Sequence, residues 1–256
     1  MLNNVKNNYY LIRTYLNEDS GYLAFLFLIL GALIGAFSLG NSTNLYLNIK
    51  YIFQNEMFLF LFFLAVLTNT YIITSKITEN IMIVIRRKNS YDLTKTILSS
   101  LFLANVIVYL MTLVIVLAVS IIFCGSNFSI IYPQLIWSDF VFDLVIILIK
   151  LFFFANVISY IFGLIFIIWR KQVYIICMFL FFLLFIIYPV ITELYIVDSF
   201  SDIPWFFSFC LLEDKFLSLP LNIFFSTLHF IIFVIIYMYL LHLAMSGRRD
   251  ILCDFK

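Results

Sequence analysis

Six apolar stretches, at about 22–39, 57–75, 98–123, 141–168, 173–193 and 221–245, are joined by connections of which every second one carries nearly all the Lys and Arg. Each stretch is close to the ~20 residues that an α-helix needs to cross the hydrocarbon of a bilayer. The runs are continuous rather than alternating with period two. Because an unpaired backbone group in lipid is strongly disfavoured, the internally bonded helix is the expected element rather than a barrel strand. With 65% hydrophobic and 11% charged residues in a chain of 256, and a mean hydropathy of +1.12, a packed water-soluble domain has too little interior to hide the apolar side chains. The expected fold class is all-α: a polytopic membrane protein whose single transmembrane domain has six helices.

The cations give the orientation. Lys6 and Arg13 precede the first run, and Lys76, Arg86, Arg87, Lys88 and Lys95 lie between the second and third. Arg170 and Lys171 follow the fourth, and Arg248, Arg249 and Lys256 end the chain, leaving only Lys50, Lys150 and Lys215 elsewhere. The positive-inside rule then puts the N- and C-termini in the cytoplasm. The opposite connections are acidic, with Asp139, Asp198, Asp202, Glu213 and Asp214, and Trp169 faces one interface while Trp137 and Trp205 suit the other. A net charge of +1 points to no nucleic acid partner, since orientation and the anionic inner leaflet already account for the basic residues.

The connecting segments differ in character. In residues 1–20, Val5, Tyr9, Ile12 and Leu16 recur at helical spacing, as in an amphipathic helix on the inner membrane surface; a frayed polar terminus is the alternative. Glu18 and Asp19 argue against a cleaved signal, so the first run is expected to be retained. Residues 195–220 include Ile203-Pro204-Trp205-Phe206-Phe207, too apolar for a solvated loop and too interrupted to span, and read as an external re-entrant or interfacial segment that Pro189 and Glu193 could begin. Cys124, Cys177, Cys210 and Cys253 lack metal or redox spacing, and an external Cys124 to Cys210 bridge is the one pairing that orientation permits.

Several polar or small residues inside the runs stand out. Gly31 and Gly35 have the small-xxx-small spacing that lets helix backbones approach closely, either between two copies or between two spans of one copy. The segments from Leu101 to Tyr109 and from Phe152 to Tyr160 share Ala-Asn-Val-Ile. The spans run oppositely and the composition is biased, so coincidence accounts for the likeness. Their Asn105 and Asn156 read first as interhelical hydrogen-bonding groups and second as substrate contacts. Lys150 lies within the fourth run and either snorkels outward toward Asp143 or lines a translocation path.

Catalytic chemistry has little to stand on. Gly35 to Ser42 has the glycine spacing of a phosphate loop but Asn41 where the lysine belongs, and His229 and His242 are too far apart for a helical metal pair. No HExxH or GxSxG is present. No metal, cofactor or catalytic residue is expected in the chain itself.

The connection from residue 76 to 97 is the most informative. Glu79 follows the second run, an apolar stretch from Ile81 to Ile85 can lie on the membrane, Arg86-Arg87-Lys88 forms a basic knuckle, and Asn89 or Ser90 can cap the next helix ahead of Lys95. This layout resembles the permeases of type-2 ABC exporters, and so does the rest of the chain: a surface helix, six spans, an apolar connection before the last, and the basic tail Gly247-Arg248-Arg249. The resemblance implies that residues 76–97 dock on a separate cytoplasmic ABC ATPase, with Glu79, Arg86, Arg87, Lys88, Ser90 and Lys95 as coupling residues. It implies ATP and Mg on that partner, a second permease copy or related permease, and location in a bacterial cell membrane.

Among such permeases the size and style resemble exporters of hydrophobic or amphipathic peptides, in toxin export or in bacteriocin and lantibiotic self-immunity. A secondary carrier built of inverted repeats is the alternative, and a membrane-embedded enzyme a third.

Overall fold

The computed structural model describes residues 19–37, 45–79, 90–124, 137–193 and 219–245, and all of these except Asn55 are α-helical. The helices are α1 (Asp19–Phe37), α2 (Leu45–Gln54), α3 (Glu56–Glu79), α4 (Ser90–Cys124), α5 (Trp137–Glu193) and α6 (Leu219–Met245). The expected surface helix before residue 19, the basic knuckle Arg86, Arg87 and Lys88, the 194–218 segment with Cys210 and the tail from 246 lie outside the described residues.

α2 is an addition to the expected elements. Leu45, Ile49, Ile52 and Phe53 recur on one helical face, and Ile52 and Phe53 are buried. Asn55 then ends α2 and caps α3. Its N–H donates to Ile52 O at 3.2 Å, its Oδ1 accepts the Phe58 N–H at 3.1 Å, and its carbonyl accepts the Leu59 N–H at 3.0 Å. The basic-side connection is also shorter than its sequence pattern: α3 runs to Glu79 and α4 starts at Ser90, which puts Lys76, Glu79 and Lys95 on helices.

α5 is broken at Arg170, whose φ of 67° and ψ of −171° are not helical. The Phe162 and Phe181 rings lie 5.7 Å apart, whereas on a straight helix rising 1.5 Å per residue they would be ~28 Å apart. The arms 137–169 and 171–193 therefore fold back on each other, dividing at the Arg170-Lys171 step where the fourth and fifth apolar runs were expected to part. The second arm continues as helix through Pro189 to Glu193.

Contacts between helices fix their relative directions. α1 is antiparallel to α3, with Gly31 against Phe58 and Leu61 and Gly35 against Ile52 and Asn55. A Cβ on Gly35 would stand 3.3 Å from the Ile52 Cα, so the small-residue face is used within one chain for close backbone approach. α4 is antiparallel to the first arm of α5, pairing Asn105 with Asn156 and Tyr109 with Leu148. α6 is parallel to that arm, pairing Phe230 with Phe154 and Tyr237 with Tyr160. The second arm is antiparallel to α3, where the Tyr174 hydroxyl donates to Leu67 O at 2.6 Å and Phe181 meets Phe63.

Polarity is arranged inside out relative to a water-soluble bundle. Asn69, Thr70, Thr74, Ser100, Asn105, Thr112, Ser120, Asn156 and Ser159 are buried, while Val114, Ile122, Phe179 and Ile235 are more than 60% exposed. Several interior hydroxyls donate to a carbonyl one turn back, as Thr70 does to Val66 O (2.8 Å), Thr74 to Thr70 O (2.7 Å) and Thr112 to Val108 O (2.7 Å). Three helices, Met57–Glu79, Tyr91–Cys124 and Ile147–Leu183, are long and apolar enough to cross a membrane, and Tyr22–Phe37 and Phe230–Met245 are shorter apolar helices. The described chain is thus an all-helical protein whose apolar surface suits a bilayer.

Candidate functional site at the basic end of the bundle

The end of α3, the start of α4, the Arg170 turn and the end of α6 meet at one end of the bundle. At the other end Phe37 stacks edge-on against Phe123 at 4.9 Å, and the Asn48 amide donates to the Cys124 thiol at 3.2 Å. Cys124 is a buried free thiol, and Cys210, its expected external partner, lies outside the described residues.

At the basic end Glu79 is exposed and accepts from Ser75 Oγ at 2.7 Å. One turn of α3 separates the two residues, so the bond fixes the carboxylate on the last turn. Glu79 lines a small cleft of about 180 Å³ with Thr78, Leu93, Phe166, Arg170 and Lys171. The Lys171 ammonium lies 5.6 Å from the centre of the Tyr71 ring, within cation–π range. Opposite charges thus gather around the mouth of this cleft: one carboxylate ends α3 and two cations form the α5 turn.

The turn is held by aromatic packing. Tyr174 is fully buried between Phe162, Phe166 and Tyr71, with ring centroids 5.5, 5.8 and 5.4 Å away. Its hydroxyl on Leu67 O satisfies the one polar atom it brings into the interior. Arg170 is thereby held in a backbone region that L-residues rarely occupy.

A second, larger cleft of about 700 Å³ opens beside the first turns of α4, between α4 and α6, with Tyr160 of α5 in its lining. Lys95 is exposed there, its ammonium 6.0 Å from the centre of the Tyr91 ring. Ser90 begins α4, and its side chain lies outside the description.

The residues assigned to the membrane interior are placed differently. Asn105 Nδ2 donates to Asn156 Oδ1 at 3.2 Å, and Asn156 Nδ2 donates to Phe152 O at 2.8 Å. The two similar segments lie side by side and antiparallel, crossing at their asparagines. Thr70 and Ser159 share a hydroxyl bond of 2.8 Å at another α3–α5 contact. Lys150 is half-buried, between exposed Ile149 and buried Leu151. Neither cleft at the basic end is lined by Lys150, Asn105 or Asn156.

Among the described residues no group of His, Cys, Asp and Glu is arranged to hold a metal. His242 is exposed near the end of α6, and the side chain of His229 lies outside the description. Sequence reasoning missed Ser75, Tyr71 and Tyr174, which shape the basic end. The sequence signal for Tyr71 and Ser75 is their helical spacing with Glu79 along α3, and Tyr174 of α5 has none.

No family model, curated protein or solved structure matches the chain. Its class, a helical protein with apolar helices of membrane-crossing length, follows from the fold, and its function is argued from its own residues.

Proposed function

We propose that the chain is the membrane-spanning permease subunit of an ATP-driven exporter of the type-2 ABC kind. It crosses a bacterial cell membrane six times, with both termini in the cytoplasm. The observation that carries this reading is the clustering of Glu79, Lys95, Arg170 and Lys171 around two clefts at one end of the bundle. The connection bearing Arg86, Arg87 and Lys88 leaves and re-enters the bundle at that same end, between Glu79 and Ser90. A cytoplasmic motor pressing there would act at once on α3, α4 and the turn of α5. Six crossings are supported by the alternating helix directions, with the two arms of α5 counted as the fourth and fifth spans.

In this reading a separate ABC ATPase binds ATP and Mg, and a second permease copy or relative completes the path. The cargo is a hydrophobic or amphipathic peptide, expelled for toxin export or bacteriocin self-immunity. Asn105 and Asn156 hold α4 to α5, which leaves Lys150 as the intramembrane candidate for the path.

Co-purification is the test. The chain should bring down an ATPase, and changing Arg86, Arg87 and Lys88 together to Gln should weaken that association by roughly tenfold or more, the equivalent of about 1.4 kcal/mol. Transport by the purified chain alone, with no ATPase, would replace the proposal with a secondary carrier.

A further inference from the structure

The 700 Å³ cleft between α4 and α6 is large enough for a small amphiphile, since ligand sites commonly measure ~300–1,000 Å³. Its chemistry is divided along its length. At one end stand Tyr91, Thr94 and Lys95; farther along α4 the lining is Leu98, Ser99, Phe102 and Leu103, faced by Tyr160 of α5 and by Tyr237 and Leu241 of α6, and is apolar apart from three hydroxyls. Tyr91 and Phe102 are 48% and 43% exposed, so the cleft opens on the outer surface of the bundle, where lipid lies.

The dimensions fit one leaflet. From Tyr91 to Leu103 α4 rises ~18 Å at 1.5 Å per residue, and half of a ~30 Å hydrocarbon core is ~15 Å. The polar end therefore falls at headgroup level when the apolar end reaches the middle of the bilayer. Lys95 supplies a cation there, held beside the Tyr91 ring at 6.0 Å. Thr94 is 1% exposed, and its Oγ1 has no hydrogen-bond partner among the described residues. A buried hydroxyl without a partner is disfavoured, and an acceptor oxygen arriving in the cleft would supply one. Asp92 is also in the first turn of α4 but does not line the cleft.

We propose that this cleft holds one anionic phospholipid, its phosphate at Lys95 and Thr94 and an acyl chain along Leu98, Phe102 and Leu241. On the orientation proposed above, the lipid belongs to the inner leaflet. An anionic headgroup is selected because Lys95 has a net charge to offset, whereas a zwitterionic headgroup brings its own cation. The acyl chain is selected because the remaining wall is mostly apolar, with the Ser99, Tyr160 and Tyr237 hydroxyls its only side-chain polar groups, and is as long as one leaflet. The proposal is independent of the exporter reading, since its test reads lipid retention and not transport.

The experiment uses the full-length protein in mild detergent, offered phosphatidylglycerol or phosphatidylcholine and read by native mass spectrometry. The unaltered protein should retain one phosphatidylglycerol with a preference of about tenfold over phosphatidylcholine. Lys95→Gln should bring the two lipids to parity. Ser99→Trp, which puts bulk into the cleft from an exposed position, should lower retention of both. Monodisperse elution of each variant controls for folding.

Equal retention of the two lipids by the unaltered protein overturns the proposal, as does a preference that survives Lys95→Gln. Displacement of the lipid by inorganic phosphate alone would assign the site to a free anion. Displacement by an amphipathic peptide would assign it to cargo, and disulfide cross-linking of two copies through Ser99→Cys would assign it to a second permease. Each of these also overturns it.

Discussion

Asn105 and Asn156 carry amide groups that lipid cannot solvate, and the bundle satisfies them by setting one against the other at 3.2 Å. Removing Asn105 leaves Asn156 Oδ1 buried and short of a partner while Asn156 Nδ2 keeps its bond to Phe152 O, and an orphaned acceptor costs more than the bond alone contributes. Asn105→Leu should therefore destabilise the protein by about 0.6–2 kcal/mol, measured by unfolding in mixed micelles. The double variant Asn105→Leu, Asn156→Leu should cost less than the two single changes added together, because it leaves no orphaned amide from this pair. Strict additivity would mean that the pair is not coupled. The sequence made the residue type and its depth in the span legible. Partnership depends on how α4 and α5 rotate about their axes, which the packing of the surrounding apolar side chains sets.

At the scale of elements, Arg170 shows what a turn between two packed helices demands. Its φ of 67° with ψ of −171° lies in a region adopted almost only by glycine, at a cost of about 1–3 kcal/mol for other residues. Tyr174, wedged among Phe162, Phe166 and Tyr71 and bonded to Leu67 O, holds the arms together against that strain. Arg170→Gly should accordingly raise stability by about 1 kcal/mol, the relieved strain less the greater freedom of glycine in the unfolded chain. Arg170→Val should lower stability, because a β-branched side chain is the least compatible with positive φ. A glycine variant less stable than the parent in the same unfolding assay would contradict this backbone account. The division between the fourth and fifth apolar runs was legible at Arg170-Lys171, because charge interrupts hydropathy there. α2 was not foreseen. Its apolar spacing is short and mixed with Asn48 and Lys50, and only burial of Ile52 and Phe53 against the bundle distinguishes it from a solvated loop.

At the scale of the molecule, the paired contacts require α1, α3, α4, the two arms of α5 and α6 to alternate in direction, as a chain crossing back and forth through a bilayer must. On the orientation proposed above, membrane-impermeant maleimide should label Tyr91→Cys and Lys171→Cys from the cytoplasmic face only, and Tyr51→Cys from the outer face only, in a background whose native cysteines are serine. Labelling of Tyr91→Cys and Lys171→Cys from opposite faces would rule out the threading. Hydropathy alone determined that the chain is helical and suited to lipid, because an apolar run in a bilayer satisfies its own backbone only as a helix, while the basic residues supplied the expectation of an orientation. Only the tertiary structure decided that Gly31 and Gly35 pack within one chain, that Asn105 meets Asn156, and that Lys95 stands at the mouth of a cleft. These depend on helix rotation and register, which are set by side chains from distant parts of the sequence fitting together, and hydropathy carries almost no information about them.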